Sequence, residues 1–418
     1  IIGLGYVGLP LACLIAKSKK YEVVGLDLDE KKLQAISEGI CPIDDTETTK
    51  ILPSVKLEVG TDDNIIKGAE FVIICVPTPV EQNKLPNLGP VKSATRTALK
   101  HLEKGQTIVV ESTINPGVCE EMVMPILEES GFKAGKDFEL SHCPERINPG
   151  DNKWNVSNIA RNIGSLTTEG NKKSAEFYRS FIDAEVNEVS CLKVAEATKV
   201  IENTFRDINI AYVNELAKSF DLMEIDLVEV IKAASNKPFA FMPHYPGCGV
   251  GGHCIPVDPY YLIERAKKEG FEHSFLRNAR EINNSMPGYA VNVLSDQLNE
   301  FERPIHGTNI ALLGLAYKGN VSDLRESPAL EIKKILEKKG AVLSIYDPHI
   351  PDMSTTPSVT EALAQTEFVF IATEHQEFKD IAAKRFKELG TKLIVDGKNC
   401  LDKAAIIKEG IKYKGVGH

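Results

Sequence analysis

The sequence predicts an α/β protein in which two doubly wound sheets are joined by a mainly helical segment with a long helix. Three observations carry this reading. A glycine turn opens the chain at Gly3-Leu4-Gly5-Tyr6-Val7-Gly8, short apolar runs alternate with helical patterns to about residue 190, and the same alternation returns at Asn309. At 418 residues the chain exceeds what one core accommodates, so two or three domains are expected. The expected divisions are 1–190, 191–303 and 304–418.

In chain order, Ile1-Ile2 ends a strand, residues 9–17 read as a helix and 21–26 as the next strand. The glycine turn needs a full strand ahead of it, so further residues before Ile1 are expected. Residues 71–76 and 107–110 are continuous apolar runs, with helical patterns at 91–102 and 120–129. Strand 138–142 follows, and 159–165, 169–182 and 185–189 continue the alternation. Apolar strands buried on both faces imply a parallel sheet with crossover helices. From 193 to 221 apolar residues recur at helical spacing, and 227–234 and 258–268 add further helices. The longest helical pattern, 274–302, is expected to kink or restart at Pro287 and to serve as spacer and dimer surface. Residues 309–313, 341–346, 368–372 and 393–396 then read as strands, with a helix at 329–338. Two such sheets are expected to leave a cleft at the carboxyl ends of their strands, where open α/β sheets bind ligands.

Composition narrows the function. Hydrophobic residues make up 43% and charged residues 26%, ordinary for a globular protein. A net charge of −10 argues against nucleic acid, whose phosphates demand clustered Lys and Arg. No apolar run reaches the length of a membrane span and no signal peptide is visible. The nine scattered cysteines form neither metal-type pairs nor a disulfide framework, so no metal is expected and a reducing cytoplasm is the expected compartment.

The residues of the opening turn divide the work of holding a dinucleotide. Gly3 permits the tight turn, Gly5 lets the backbone approach the pyrophosphate, and Gly8 allows close helix–strand packing. Asp27 stands at the end of the second strand, where a carboxylate accepts the ribose hydroxyls and favours NAD over its 2′-phosphorylated relative. Cys75-Val76-Pro77-Thr78-Pro79 and Glu111-Ser112-Thr113 place small hydroxyls at later strand ends. Taken singly, such segments are ordinary caps and turns. Lys199 and Asn203 share one helix face at i, i+4, as either a solvated face or a pair projecting into a cleft. The loop Gly251-Gly252-His253-Cys254-Ile255-Pro256-Val257-Asp258 sets a cysteine four residues before an aspartate. A dehydrogenase that stops at an aldehyde needs no thiol, whereas oxidation from alcohol to acid captures the aldehyde as a thiohemiacetal and then a thioester.

These segments together resemble the UDP-glucose/GDP-mannose dehydrogenase family along essentially the whole chain. The carrying residues are GLGYVG at 3–8, CVPTP at 75–79, EST at 111–113, PERINPGD at 144–151, KVIENTFRDINIAYVNE at 199–215, GVGGHCIPVDPYYL at 249–262 and GLAYKGNVSDLRESPALE at 314–331. The resemblance implies Rossmann-like sheets at both ends and a dimerising helical centre, with Cys254 as nucleophile. Asp258 and Lys199 would assist the water, Lys199 and Asn203 would stabilise the oxyanion, and Thr113 and Glu145 would hold the water network. Cofactor contacts implied are Gly3, Gly5, Tyr6, Val7, Gly8, Asp27, Lys32, Thr78, Ser112, Thr113 and, from the C-terminal domain, Arg325. Substrate contacts implied are Arg146, Ile147, Lys199, Asn203, Tyr245, Gly251 and Lys318.

Two positions depart from the pattern of the glucose enzymes. Val257 replaces a lysine common there, and Asn148-Pro149 replaces a second glutamate. The segment 41–52 also looks short for the family. The two variant motifs at 199–215 and 249–262 are similar to the branch acting on UDP-N-acetylhexosamines. The expected reaction is thus a four-electron, NAD-dependent oxidation of the C6 alcohol of UDP-N-acetylglucosamine. The N-acetylmannosamine and N-acetylgalactosamine epimers, and less so UDP-glucose, are alternatives. A single-step hydroxyacid-type dehydrogenase would leave Cys254 without a role. A non-catalytic dinucleotide-sensing regulator would not need Cys254, Asp258, Lys199 and Asn203 together. The expected partner is a UDP-sugar, with no nucleic acid or membrane, in a homodimer or higher homo-oligomer.

Overall fold

A computed structural model describes residues 1–81, 85–147 and 154–418. The departure at Asn148-Pro149 and the end of the 144–151 motif lie outside the described residues. The chain forms two units, one of residues 1–202 with 260–272 and the other of 203–259 with 273–418.

In the first unit, Ile2 bridges in parallel to both Leu26 and Ile74, so the residues before the glycine turn lie between two strands. Around it run β1 (Val24–Leu26), β2 (Glu58–Gly60), β3 (Phe71–Ile74), β4 (Thr107–Val110), β5 (Glu139–His142), β6 (Arg161–Ser165) and β7 (Val186–Glu188). β1 pairs with β2, and the remaining five stand in the order β3-β4-β5-β6-β7. Alternation along the strands feeds two cores. Val72, Ile74, Ile108 and Val110 enter one, under α4 (Gly89–Lys100) and α5 (Met124–Glu128). Ile73 and Val109 enter the other, with apolar residues of α1 (Gly8–Ser18), α2 (Glu30–Ser37), α3 (Thr46–Ile51) and α6 (Thr168–Arg179). Each fully buried Val, Leu or Ile contributes roughly 1.5–3 kcal/mol.

The sheet is not uniformly parallel as expected. β5 and β6 are antiparallel, Ser141 opposite Ser165 and His142 opposite Gly164, and β7 follows β6 in parallel. A parallel return needs a crossover helix, and the described residues between β5 and β6 contain none. β6 therefore starts, at Arg161, beside the carboxyl end of β5.

Helix α7 (Leu192–Leu222, 31 residues) starts in the first unit and ends in the second. The second unit continues with α8 (Leu227–Ala234), the start of α9 (Asp258–Lys268) and α10 (Ser274–Asn299). It closes on β8 (Asn309–Leu313), α11 (Pro328–Lys338), β9 (Val342–Tyr346), β10 (Phe368–Ile371), β11 (Leu393–Asp396) and β12 (Lys412–Gly415). These strands are all parallel, in the order β12-β11-β10-β8-β9. α10 runs through Pro287 without restarting. Met286, Ala290, Val291 and Leu294 are buried around the proline, so packing holds the helix together. Beside it lies Gly249, where an added Cβ would stand 3.0 Å from the Asn283 carbonyl that the proline ring cannot bond. The large exposed apolar residues of the long helices include Phe205 and Tyr212 on α7 and Phe275 on α10.

Candidate active site

The first turn is shaped by close approaches. Gly3 has φ +93°, and a Cβ there would lie 2.6 Å from the Cys75 carbonyl oxygen. A Cβ on Gly8 would collide with the Gly3 carbonyl, so α1 can pack only on a bare backbone. Gly5 differs, because a Cβ there would meet nothing within 4 Å. Val7 caps α1 without a side-chain hydrogen bond, and Tyr6 beside it is exposed. Open space over Gly5 and uncapped amides at a helix N-terminus suit a pyrophosphate.

Asp27 sits where the ribose is expected. Its Oδ2 accepts from Leu4 N–H at 2.8 Å and Lys32 Nζ at 2.9 Å, and its Oδ1 accepts from Asp29 N–H at 3.0 Å. Burial pushes its pKa up, but the Leu4, Lys32 and Asp29 hydrogen bonds outweigh that and hold the carboxyl below its ordinary value. Lys32 is thus brought together with Asp27. At later strand ends, Ser112 Oγ donates to the Val76 carbonyl at 2.7 Å, tying β3 to β4. The Thr78 carbonyl accepts from Tyr261 Oη at 2.7 Å. Thr113 follows Ser112, half-buried.

Beyond β5, Glu145 is 5% exposed. Its Oε1 accepts from the N–H groups of Arg146 and Ile147 at 2.7 and 2.5 Å, and its Oε2 pairs with Arg161 Nη1 at 2.7 Å. The Arg146 side chain pairs with Glu202 on α7 at 2.7 Å. Arg161 also stands 3.5 Å from Glu111, which accepts from Tyr178 Oη. Burial, opposed by Arg161, pushes the Glu111 pKa up to about 7. Lys199, 8% exposed, lies on α7 one turn before Asn203.

In the second unit, Asn203 Nδ2 donates to Asp258 Oδ2 at 2.5 Å. Asp258 starts α9, and its N–H and that of Val257 donate to the Cys254 carbonyl at 2.8 and 3.1 Å. The half-buried thiol is therefore carried on the turn that leads into a helix. Before it the loop must be glycine. A Cβ on Gly251 would lie 2.6 Å from Tyr317 Cβ, and Gly252 has φ +89° over the Tyr317 ring. Gly252 N–H donates to the Arg325 carbonyl at 2.9 Å, and the Arg325 side chain grips Asp323 at 2.6 Å. The structure thus joins Arg325 to the thiol loop. Lys318 lies half-buried on the strand-end segment after Tyr317, and Tyr245 is exposed. Two buried asparagines brace the approach to the loop. Asn214 accepts from Gly247 N–H at 3.0 Å and donates to Asn283 at 2.9 Å, and Asn283 donates to Asp207 at 2.8 Å.

Sequence reasoning missed Arg161, Glu111, Tyr178, Tyr317 and Asp323 near these groups. An arginine inside the buried run 159–165 was the available signal, since charges are rarely buried without partners. A second signal was the recurrence of the first turn as Gly314-Leu315-Ala316-Tyr317 after β8. There Asp347, at the end of β9, accepts from Leu315 and Ala316 N–H at 2.6 and 2.9 Å and pairs with His375 at 3.0 Å, as Asp27 binds Leu4 and Lys32. No group of His, Cys, Asp and Glu suited to a metal ion occurs among the described residues.

A dinucleotide turn with an acidic strand end, and a thiol on a glycine-fixed loop, define a dinucleotide-dependent oxidoreductase. Profiles of the UDP-glucose/GDP-mannose dehydrogenase family match in three parts: the NAD binding domain at residues 1–182, the central domain at 193–285 and the UDP binding domain at 311–403. The UDP-N-acetyl-D-glucosamine 6-dehydrogenase of Pseudomonas aeruginosa is 36% identical over 397 residues, 93% of this chain and 93% of that protein. The UDP-N-acetyl-D-mannosamine dehydrogenase of Pyrococcus horikoshii is 34% identical over 422 residues, 100% of this chain and 98% of that one. The solved structure of the Pyrococcus horikoshii enzyme aligns with a TM-score of 0.93 at 34% identity, covering 100% of this chain and 98% of that one. The chain belongs to the UDP-glucose/GDP-mannose dehydrogenase family. It is an NAD-dependent nucleotide sugar dehydrogenase, and the space over Gly5 and the ionised Asp27 fit that cofactor.

Proposed function

We propose that this chain oxidises the C6 alcohol of a UDP-N-acetylhexosamine, UDP-N-acetylglucosamine first, to the carboxylate with two NAD. The observation that carries this is Cys254, presented on a glycine-fixed turn one helical turn before Asp258, itself bonded to Asn203. Bound NAD supplies the hydride acceptor for each of the two oxidations.

The chain's residues do the rest. Cys254 Sγ adds to the aldehyde carbon, giving a thiohemiacetal whose oxyanion Lys199 and Asn203 stabilise. Loss of hydride and a proton from that adduct leaves a thioester. Water, held by Thr113 and Glu145 and assisted by Asp258 and Lys199, then attacks the carbonyl. The C–S bond breaks, the acid leaves, and the thiol is restored. Asp27 and Lys32 hold the adenosine ribose, and residues 3–8 the pyrophosphate. Thr78 and Ser112 lie toward the nicotinamide end, and Arg325 assists from the C-terminal region. Arg146, Ile147, Tyr245, Gly251 and Lys318 wall the UDP-sugar. We assign cofactor binding to 1–190, dimerisation to 191–303 and the UDP-sugar to 304–418. Phe205, Tyr212, Phe239 and Met242, all exposed, support a homodimer through the helical segment. The reaction is placed in the cytoplasm, and no helix among the described residues is long and apolar enough to cross a membrane.

A second reading, UDP-N-acetylmannosamine, is favoured by the likeness to the Pyrococcus horikoshii enzyme. A screen of UDP-glucose and the three UDP-N-acetylhexosamines, counting NADH per sugar, tests both. Two NADH per UDP-N-acetylglucosamine is the expected result. One NADH per sugar refutes the four-electron course, and turnover confined to another epimer refutes the substrate.

A further inference from the structure

Arg161 is fully buried, and the strand that carries it runs against the sheet. Because β6 is antiparallel to β5, its first residue lies at the carboxyl ends of β4 and β5. Glu111 follows β4 there and Glu145 lies just past β5. A parallel β6 would have put Arg161 at the opposite end. One guanidinium consequently faces two carboxylates, at 2.7 Å from Glu145 and 3.5 Å from Glu111.

The two carboxylates are not equivalent. Glu145 has the closer arginine contact and two backbone N–H donors, whereas Glu111 has the longer contact and the Tyr178 hydroxyl. One cation balances one of them, so a single proton on the other neutralises the cluster, and the weaker-held Glu111 takes it. The raised Glu111 pKa, about 7, agrees. The other titratable neighbours add no charge, since burial pushes the thiols of Cys75 and Cys143 and the Tyr178 hydroxyl well up. Stability alone gives little reason for the arrangement, because apolar replacement of a buried ion cluster is often neutral or stabilising. The cluster is also incompletely satisfied, as Arg161 Nε and Nη2 and Glu145 Oε2 reach no hydrogen-bond partner.

We propose that Arg161 is a positioning residue for Glu145, holding its carboxylate by the buried ion pair as the acceptor for the water that releases the acid from Cys254. This rests on the reading of Glu145 given above. Arg161 acts only on thioester hydrolysis, and neither hydride transfer depends on it.

The test uses Arg161→Lys, Arg161→Gln and Glu145→Gln, with NAD and, separately, UDP-N-acetylglucosamine and UDP-N-acetylmannosamine. Rapid mixing reads the NADH formed in the first turnover, and intact mass reads acyl-enzyme on Cys254. In both Arg161 variants the burst is expected within twofold of wild type, with acyl-enzyme accumulating and steady turnover at least tenfold lower. The accumulation should be greater for Gln than for Lys, which keeps a cation at this position. Arg161→Gln/Glu111→Gln removes the cation together with the second carboxyl, leaving Glu145 as the one acid of the cluster, and should also accumulate acyl-enzyme. If Glu145→Gln accumulates acyl-enzyme but folded Arg161 variants turn over normally without accumulating it, the proposal alone is overturned. Normal turnover by Glu145→Gln removes the reading of Glu145 itself. A lost burst in folded Arg161 variants, or failure of all three Arg161 variants to fold, makes Arg161 a residue of the fold and also overturns the proposal.

Discussion

Replacing Gly5 with alanine separates cofactor binding from folding. The new Cβ would meet no protein atom within 4 Å, and the position requires no left-handed backbone. The expected change in stability is therefore within about 0.5 kcal/mol of zero, as for an exposed substitution that breaks no contact. The methyl would instead occupy the space into which the pyrophosphate must come. A hydrogen bond to a charged group contributes roughly 1.5–3 kcal/mol. Losing one such backbone–phosphate bond should weaken NAD binding by about ten- to a hundredfold at roughly 1.4 kcal/mol per decade. Gly8→Ala is the contrasting case, because its Cβ collides with the Gly3 carbonyl and should lower the melting temperature markedly. NAD titration by fluorescence and thermal unfolding without NAD measure the two quantities. Unchanged NAD affinity in Gly5→Ala, or a loss of stability matching that of Gly8→Ala, would refute the assignment of the space over Gly5 to the pyrophosphate.

Asp27→Ala should weaken NAD binding and narrow the preference over NADP, since the carboxylate that accepts ribose hydroxyls also repels a 2′-phosphate; equal wild-type kcat/KM for the two cofactors would contradict this. Cys254→Ser should abolish normal turnover and trap an ester visible as added mass. Cys248→Ser should retain most activity, because that thiol is sealed against the Gly397 carbonyl with its pKa pushed up to about 12 by burial. Glu111 makes the fold pH-sensitive. Its folded pKa, about 7, exceeds the ordinary 4.5, so its contribution is full below about pH 4.5 and is lost as pH rises through 7. Stability should fall across that window by at most about 1.4 kcal/mol per pH unit for this one proton. Urea unfolding of Glu111→Gln should show that slope removed, and an identical slope in the variant would exclude Glu111 as its source.

Much of the architecture was legible because its strands are continuous apolar runs and its helices carry periodic ones. The bounds of β8, β11, α8 and α9 coincide with the patterns read from the chain. Strand direction was not legible, since residues 159–165 look the same in either orientation and only pairing with β5 decides it. Pro287 does not restart the helix as local propensity allows, because the buried Met286, Ala290, Val291 and Leu294 around the ring offset the lost hydrogen bond. β12 escaped notice because Lys412 and Lys414 alternate with Tyr413 and Gly415, leaving a weak apolar signal for an edge strand. The spacing of Cys254 and Asp258 was visible in the chain, and so were Lys199 and Asn203. The ion cluster of Arg161 was not, since its three charged members are separated by 16 to 50 residues and meet only through the sheet.

The reversal between β5 and β6 also bears on how this scaffold can diversify. A crossover has to traverse the sheet and lay a helix on its face, so its length is tied to the dimensions of the domain. A connection that departs and re-enters at one end of adjacent strands has only to turn around, and each doubling of such a loop costs about 0.6 kcal/mol. Insertions or deletions between Ile147 and Arg161 can thus accumulate while Glu145 and the strand register persist. That freedom lies beside the Arg161 cluster, so a lineage can change the length of the connection without rebuilding the buried charges.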